Sequence, residues 1–213
     1  MKKSVLSLAA LMSLATANAM ASTAELTVTG TITPTACTPT LGNGGVVDYG
    51  NIALSNLEEG PTEYKLPAKT LSLSIDCDGP TTFALAANDN RRDATDPRNY
   101  RFGLGMHEGE SFGSYMMSWE FENTLIDGEQ GYNFYSDDGG HSWSGLGDDR
   151  GSLADTGKTP GFRAGIAKSI QLRPDPARNV SLLMDLRGYI KKSLTVTGTI
   201  PIDGSSTIEV FYL

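Results

Sequence analysis

The chain has 213 residues, with 17 Lys and Arg against 25 Asp and Glu, and therefore a formal net charge of −8. This charge argues against binding to nucleic acid or to anionic lipid, because both require clustered basic side chains. The two histidines, His107 and His141, leave little material for histidine-based catalysis or for a zinc site.

The beginning of the chain is typical of a secretory signal peptide. Two lysines precede an apolar stretch over residues 5–15, and residues 17–19 and 19–21, each with alanine at both ends, offer two cleavage sites. The apolar stretch is too short to cross a membrane as a helix. We therefore expect residues 1–21 to be removed, and residues 22–213 to form one periplasmic or extracellular domain that is not an integral membrane protein. Two lysines leave with the peptide, so the mature charge is near −10.

Apolar and polar residues alternate with a period of two in several segments, as in half-buried strands. The predicted strands are residues 26–33, 71–77, 83–87, 180–186, 194–200 and 207–213. Asp78-Gly79-Pro80 is predicted to be a turn between the second and third of them. No segment keeps a 3.6-residue apolar period long enough to predict a long helix. The sequence therefore predicts an all-β fold, most simply an immunoglobulin-like sandwich.

The middle of the chain differs in composition from both ends. Residues 103–165 hold 14 of the 24 glycines, and residues 100–162 hold 11 of the 17 aromatic residues. Residues 89–163 contain 14 acidic and 7 basic residues, and so account for about −7 of the mature charge. We expect an elaborated, insertion-like region over about residues 95–165. Its aromatic residues either pack inward in hairpins or form a face of the sandwich that determines binding specificity, and the sequence is compatible with both hypotheses.

One heptapeptide occurs twice, because residues 26–32 and residues 194–200 both read Leu-Thr-Val-Thr-Gly-Thr-Ile. The distance between the copies is too long for a solenoid repeat. Common strand-forming residues explain part of the match. The alternative is that both segments meet similar surroundings in the fold.

The mature chain holds two cysteines, Cys37 and Cys77, and oxidation to a disulfide is the default for such a pair in an exported protein. Two segments resemble the chaperone–usher pilins. One is an alternating segment with a central glycine that ends at Cys37, and the other is the predicted C-terminal strand that ends in Tyr212 and Leu213. Residues 25–50, with parts of residues 75–105, resemble more closely the GltF-type family. That family consists of fimbrial-like exported proteins of Gram-negative bacteria whose biochemical role is unsettled.

The pilin resemblance implies a sandwich that lacks its last strand and leaves an edge open. A periplasmic pilus chaperone and then another fimbrial subunit would each add a strand there. The residues that line this pairing edge would be Leu26, Val28, Ile32, Ile208, Val210, Tyr212 and Leu213. Two features differ from pilins, since only about 15 mature residues precede Cys37 and Ile200 stands where pilins have a glycine. These differences are compatible with a chain that completes its own fold, with an accessory subunit, and with a protein outside the polymer.

Residues 136–143 follow the Asp-box pattern Ser-x-Asp-x-Gly-x-Ser-Trp, which we interpret as a structural hairpin. Nearby carboxylates offer oxygen ligands to calcium, but their spacing departs from known calcium loops, so we expect no metal and no cofactor. The carboxylates concerned are Asp137, Asp138, Asp148, Asp149 and Asp155.

Aromatic rings in the middle of the chain could stack on sugar rings, although core packing explains them equally well. The rings concerned are Trp119, Trp143, Tyr115, Tyr132 and Tyr135. Two functional hypotheses follow. The first is a non-enzymatic, fimbrial-like exported protein that pairs through an edge strand, and the alternative is a free carbohydrate-binding module that recognises a glycan.

Overall fold

The computed structural model describes residues 24–31, 36–92, 98, 100–147 and 149–213. The predicted signal peptide over residues 1–21 lies outside these ranges, as does Ile32 of the predicted pairing edge.

Residues 24–31 form neither strand nor helix, so the strand predicted to start at residue 26 is wrong in its described part. The side chains of Leu26 and Val28 are 87% and 86% exposed. Alternation alone does not make a strand, because a neighbouring strand must take up the backbone hydrogen bonds.

The first sheet is centred on two long antiparallel strands, β4 (Lys69–Thr81) and β16 (Ala177–Lys191). Their register places Ile75 opposite Val180. The strand β1 (Cys37–Leu41) pairs with the other edge of β4. The further strands of this sheet are β2 (Glu58–Glu59), β3 (Glu63–Lys65), β6 (Phe102–Gly103), β9 (Gly113–Trp119), β10 (Thr124–Ile126), β11 (Glu129–Gln130) and β14 (Gly151–Ser152).

The second sheet is antiparallel throughout. Its strands lie in the order β13 (Ser144–Gly147), β12 (Tyr132–Ser136), β15 (Arg163–Ala167), β5 (Phe83–Asp89) and β17 (Ser206–Tyr212). A separate small hairpin joins β7 (Met106–His107) to β8 (Glu110–Ser111). Short 3-10 helices cover Gly42–Gly45, Leu54–Asn56 and Phe121–Asn123.

The apolar core lies between the two sheets, as the alternation predicts. Leu73, Ile75 and Val180 come from the first sheet, and Leu85 and Ile166 come from the second. The predicted all-β sandwich is confirmed. Four of the predicted strands are also found, because residues 71–77, 83–87, 180–186 and 207–213 fall within or nearly within β4, β5, β16 and β17.

The turn predicted at Asp78-Gly79-Pro80 is wrong, since β4 continues to Thr81. The register between β4 and β16 shifts at this point, and Arg178 Nη1 donates to the carbonyl oxygen of Asp78 at 3.1 Å. Glycine and proline are tolerated in a strand where such an irregularity relaxes the regular pairing.

The strand predicted over residues 194–200, the second copy of the heptapeptide, is also absent. Leu194 and Ile200 are half-buried against the core, whereas the residues between them are exposed. The middle region, about residues 95–165, supplies strands β6 to β14 and the start of β15. Apart from the β7–β8 hairpin, these strands belong to the two main sheets, so most of the described part of this region is built into the sandwich rather than appended to it.

Candidate functional site

The candidate site is the outer edge of β17, the last strand of the second sheet. On one side β17 pairs with β5 over its whole length, from Ser206 opposite Asp89 to Tyr212 opposite Phe83. No other strand of the described chain pairs with its opposite side. This edge therefore presents a row of backbone groups to a partner.

The register decides which backbone groups face outward. Leu213 N donates to Thr82 O at 3.1 Å, and Asn90 N donates to Ser205 O at 3.0 Å. Because hydrogen-bonded pairs alternate along an antiparallel ladder, the odd-numbered residues of β17 bond to β5. The N–H and C=O groups of Ile208 and Val210 consequently point away from β5, toward the open side.

The side chains of the same two residues point into the sandwich. Ile208 and Val210 pack against the core and yet stay half-buried, although both are apolar. Beyond them Tyr212 and Leu213 are exposed, and the Tyr212 hydroxyl accepts a hydrogen bond from Cys37 N at 2.9 Å. The C-terminal part of the predicted pairing edge is thus brought together on one strand.

An apolar groove opens beside β17, between the two sheets. Its volume is about 240 Å³, and its lining from the first sheet includes Leu71, Met117, Met184 and Leu186. A wider depression of about 760 Å³ shares Val47, Tyr49 and Ile202 with this groove, and residues 194–200 line part of it. Together the groove and the depression extend the apolar surface well past the edge of the strand.

The titratable side chains that line the groove are Tyr49 and Tyr115, whose phenols are neutral near pH 7 at the ordinary tyrosine pKa of about 10. Burial raises the pKa of both phenols further. The groove lining offers mainly methyl, thioether and aromatic surface, with Ser205 and Ser206 as polar members, and such a surface suits the apolar side chains of an added strand.

The Cys37–Cys77 disulfide forms as expected. It joins β1 to β4 at a position where the two cysteines lie directly opposite each other in the register. Since Cys37 N also donates to the Tyr212 hydroxyl, the disulfide anchors the strand that faces the end of β17. Leu26 and Val28 were predicted to belong to the same pairing edge, but the described residues 24–31 contain no strand.

The predicted sugar-stacking residues do not form one surface. Trp119 is wrong as a ligand-contacting residue, because it is only 1% exposed and its Nε1 donates to Asn133 Oδ1 at 2.9 Å inside the core. Tyr132 is half-buried and packs on the ring of Phe121, with centroids 5.4 Å apart. Tyr135 alone among them is substantially exposed, at 43%.

Trp143 belongs to the Asp-box hairpin between β12 and β13. Ser136 Oγ donates to Asp138 Oδ1 at 2.7 Å, and both the Ser142 amide and hydroxyl donate to the Asp138 carboxylate at 2.9 and 2.6 Å. These bonds lower the pKa of Asp138 strongly, the hydroxyl of Ser142 contributing most. The Trp143 ring covers Gly165 on the outer face of the second sheet, where a Cβ would lie 2.4 Å from it. The motif is therefore a structural hairpin.

The acidic residues of the middle region do not converge. Asp138 is held in the Asp-box turn, while Asp155 is buried and accepts hydrogen bonds from the amides of Asp89 and Gly157. Within the described ranges, no group of three His, Cys, Asp or Glu side chains is placed to hold a metal ion. Asp148 lies outside the described residues. The sequence pattern did not indicate Met117 as a groove residue, and it indicated Tyr115 only as a sugar-stacking ring; both lie on β9 and reach the groove through sheet pairing.

Comparisons with known proteins find one family and two relatives that match part of the chain. Residues 26–116 match a family described as "Protein of unknown function (DUF1120)". Protein GltF of Escherichia coli (strain K12) is 42% identical over 71 residues, which are 32% of this chain and 28% of that protein. The uncharacterized protein YhcF of the same organism is 33% identical over 66 residues, which are 30% of this chain and 26% of that protein.

The chain thus spans under a third of the length of each of these relatives. The match covers β1 to β5 and reaches into β9, but it ends before the Asp-box hairpin and before β17. The described residues also include no helix that is both long and apolar enough to cross a membrane.

Proposed function

We propose that this protein is a non-enzymatic, fimbrial-like exported protein that binds its partner by adding a strand to the open edge of β17. The partner class is a periplasmic pilus chaperone or another fimbrial subunit. The observation that supports this most directly is the pairing of β17 on one side only among the described residues, beside an apolar groove. The proposed location, periplasmic or extracellular, rests on the signal-peptide pattern of residues 1–21.

Strand addition would satisfy two kinds of group at once. The outward N–H and C=O groups of Ile208 and Val210 would gain backbone hydrogen bonds from the partner strand. Alternate side chains of that strand would enter the groove and complete the burial of the half-buried Ile208 and Val210. The two contributions favour the same partner, an extended segment with apolar residues at every second position.

A proline substitution tests the backbone part of this proposal. The amide of Val210 makes no ladder bond to β5, so Val210→Pro leaves the hydrogen bonds between β5 and β17 in place, and removes the valine side chain together with a donor that the partner strand would use. Val210→Ala is the matched control, because it removes the same apolar side chain and keeps the amide. We expect a periplasmic pilus chaperone to co-purify with the wild-type protein and with Val210→Ala, and co-purification to fall at least tenfold for Val210→Pro.

The comparison requires that both variants fold. Intact Cys37–Cys77 oxidation and an unchanged circular dichroism spectrum establish this before binding is measured. If the wild-type protein is a stable monomer that binds no chaperone when the two are expressed in one periplasm, strand addition is refuted. Equal binding by Val210→Pro and Val210→Ala would likewise exclude the edge of β17 as the contact.

A further inference from the structure

A second opening of the sandwich lies on the β12 side, away from β17. It is a pocket of about 220 Å³ between β12 and β13 of the second sheet and β14 of the first. The exposed ring of Tyr135 forms one wall. Phe162, which precedes β15, stacks on it with the ring centroids 6.2 Å apart and the planes 11° from parallel. Two residues distant in the chain thus form one pair of stacked rings, of which Tyr135 is the more exposed.

Glycines shape the rest of this pocket. A Cβ at Gly151 would lie 2.2 Å from the indole of Trp119, so only glycine allows β14 to lie directly on that buried ring. Gly145 has φ +133°, and a Cβ there would lie 3.1 Å from Asn133 O. The backbone therefore approaches closely on two sides and leaves an open recess next to the stacked rings.

Fixed polar groups stand at the rim. The main chain of Asp149 accepts a hydrogen bond from Asn133 Nδ2 at 2.9 Å, and the Asp149 carboxylate accepts one from Arg150 N at 2.8 Å. The Arg150 guanidinium is held by Ser118 Oγ at 3.3 Å and by an ion pair with Glu120. Both planar groups are oriented before any ligand arrives, which lowers the entropy lost on binding.

The charge around the pocket is negative. Asp149 lines the pocket, and Glu120 pairs with the Arg150 guanidinium at its rim. Because that ion pair balances the charge of Arg150, the Asp149 carboxylate leaves the rim with a net negative charge. Such a rim disfavours an anionic ligand.

We infer that this pocket binds a neutral saccharide. The apolar face of a pyranose ring would pack on Tyr135 and Phe162, while its hydroxyl groups would bond to Asp149 and Arg150. A concave site with an aromatic wall and a few fixed polar groups has the general form of a small-ligand site. The inference is independent of strand addition, because the pocket and the edge of β17 share no lining residue.

The test is a titration of the exported protein with methyl glycosides of glucose, galactose, mannose and N-acetylglucosamine. Sialyllactose serves as the acidic comparator, and binding is followed by protein-observed NMR. We expect at least one neutral glycoside to bind with a Kd of millimolar order and to shift the amide signals of Gly145 and Gly151. Tyr135→Ala and Phe162→Ala should each weaken that binding about tenfold, which corresponds to about 1.4 kcal/mol.

Matched variants separate this site from others. Tyr135→Phe keeps the ring and should bind within about twofold of the wild type, because the proposed contact uses the face of the ring and not the hydroxyl group. Tyr100→Ala removes another partly exposed aromatic ring, 39% exposed, and should not change the affinity. Val210→Pro should also leave sugar binding intact, so failure of strand addition and failure of this inference are distinguishable.

Four results would overturn the inference. The first is that none of the neutral glycosides shifts any amide signal of the wild-type protein. The second is tighter binding of sialyllactose than of every neutral glycoside. The third is that the shifts avoid Gly145 and Gly151. The fourth is an affinity that Tyr135→Ala and Phe162→Ala leave unchanged.

Discussion

The two outer strands of the second sheet, β13 and β17, differ in how the chain completes them. Beside β13 the Asp-box hairpin satisfies its own polar groups through Ser136, Asp138 and Ser142, and Trp143 closes over the sheet. Beside β17 no strand of the described chain takes up the outward backbone groups, and an apolar groove stays open. One edge is stabilised locally by side chains, whereas the other is suited to a partner.

The largest effect on this difference should come from the disulfide. The Cys37–Cys77 bond closes a loop of 40 residues and anchors β1 opposite the end of β17. We expect Cys37→Ala combined with Cys77→Ala to lower the free energy of unfolding by about 4 kcal/mol. Urea unfolding of the oxidised wild type and of the double variant measures this. A loss of less than about 1 kcal/mol would show that the strand pairing of β1 holds that side without the disulfide.

A pair of neighbouring residues tests whether the β17 side is open. Leu85 on β5 and Val210 on β17 lie opposite each other and face the same core, but Leu85 is buried and Val210 is half-buried. We expect Leu85→Ala to lower the free energy of unfolding by about 3 kcal/mol and Val210→Ala by about 1 kcal/mol. Chemical denaturation of both variants checks this, and equal losses would mean that Val210 is as enclosed as Leu85.

The β13 edge of the second sheet, which we call the closed side, should lose stability when the Trp143 ring that covers it is removed. Trp143 is half-buried, packs over Gly165 and donates from Nε1 to Gly140 O at 3.1 Å. We expect Trp143→Ala to lower the free energy of unfolding by about 2 kcal/mol, less than a fully buried tryptophan would cost. Trp143→Phe, which keeps most of the apolar cover, is the control and should recover more than half of the loss. If both variants match the wild type in thermal unfolding, the ring does not stabilise the sheet.

The sequence was sufficient for features that depend on local pattern. Alternation located β5, β16 and β17, and the cysteine content together with the predicted signal peptide anticipated the disulfide. Alternation could not distinguish an exposed aromatic ring from a buried one in the middle region. Strand β9 is buried on both faces apart from Met116, so Trp119 carries no alternating signal.

Other features depend on which segments the fold brings together. Tyr135 and Phe162 stack on each other because β12 pairs with β15, and no sequence pattern indicates that these two residues meet. Likewise, Gly79 and Pro80 read as a turn, but the long partner strand β16 accommodates them as an irregularity. Alternation in residues 26–31 and 194–200 describes strand-forming ability, whereas strand formation requires a paired edge.

The smallest effect concerns pH at the closed side. Hydrogen bonds from Ser142 and Ser136 hold the pKa of Asp138 well below its value of about 4 in an unfolded chain. A carboxyl group with a depressed pKa contributes stability that is present above the unfolded value and is lost as pH falls through the folded value. Asp138→Asn should therefore be less stable than the wild type at pH 6–7, and the difference should shrink steadily below about pH 4.

Thermal unfolding of the wild type and of Asp138→Asn at a series of pH values measures that difference. The Asp137→Asn variant is the matched control, because it removes the neighbouring charge without touching the hydrogen bonds of the turn. A stability difference for Asp138→Asn that is the same at pH 7 and at pH 3 would contradict the expectation. It would mean that the amide at this position costs stability by geometry alone, and that the charge of Asp138 does not hold the turn closed.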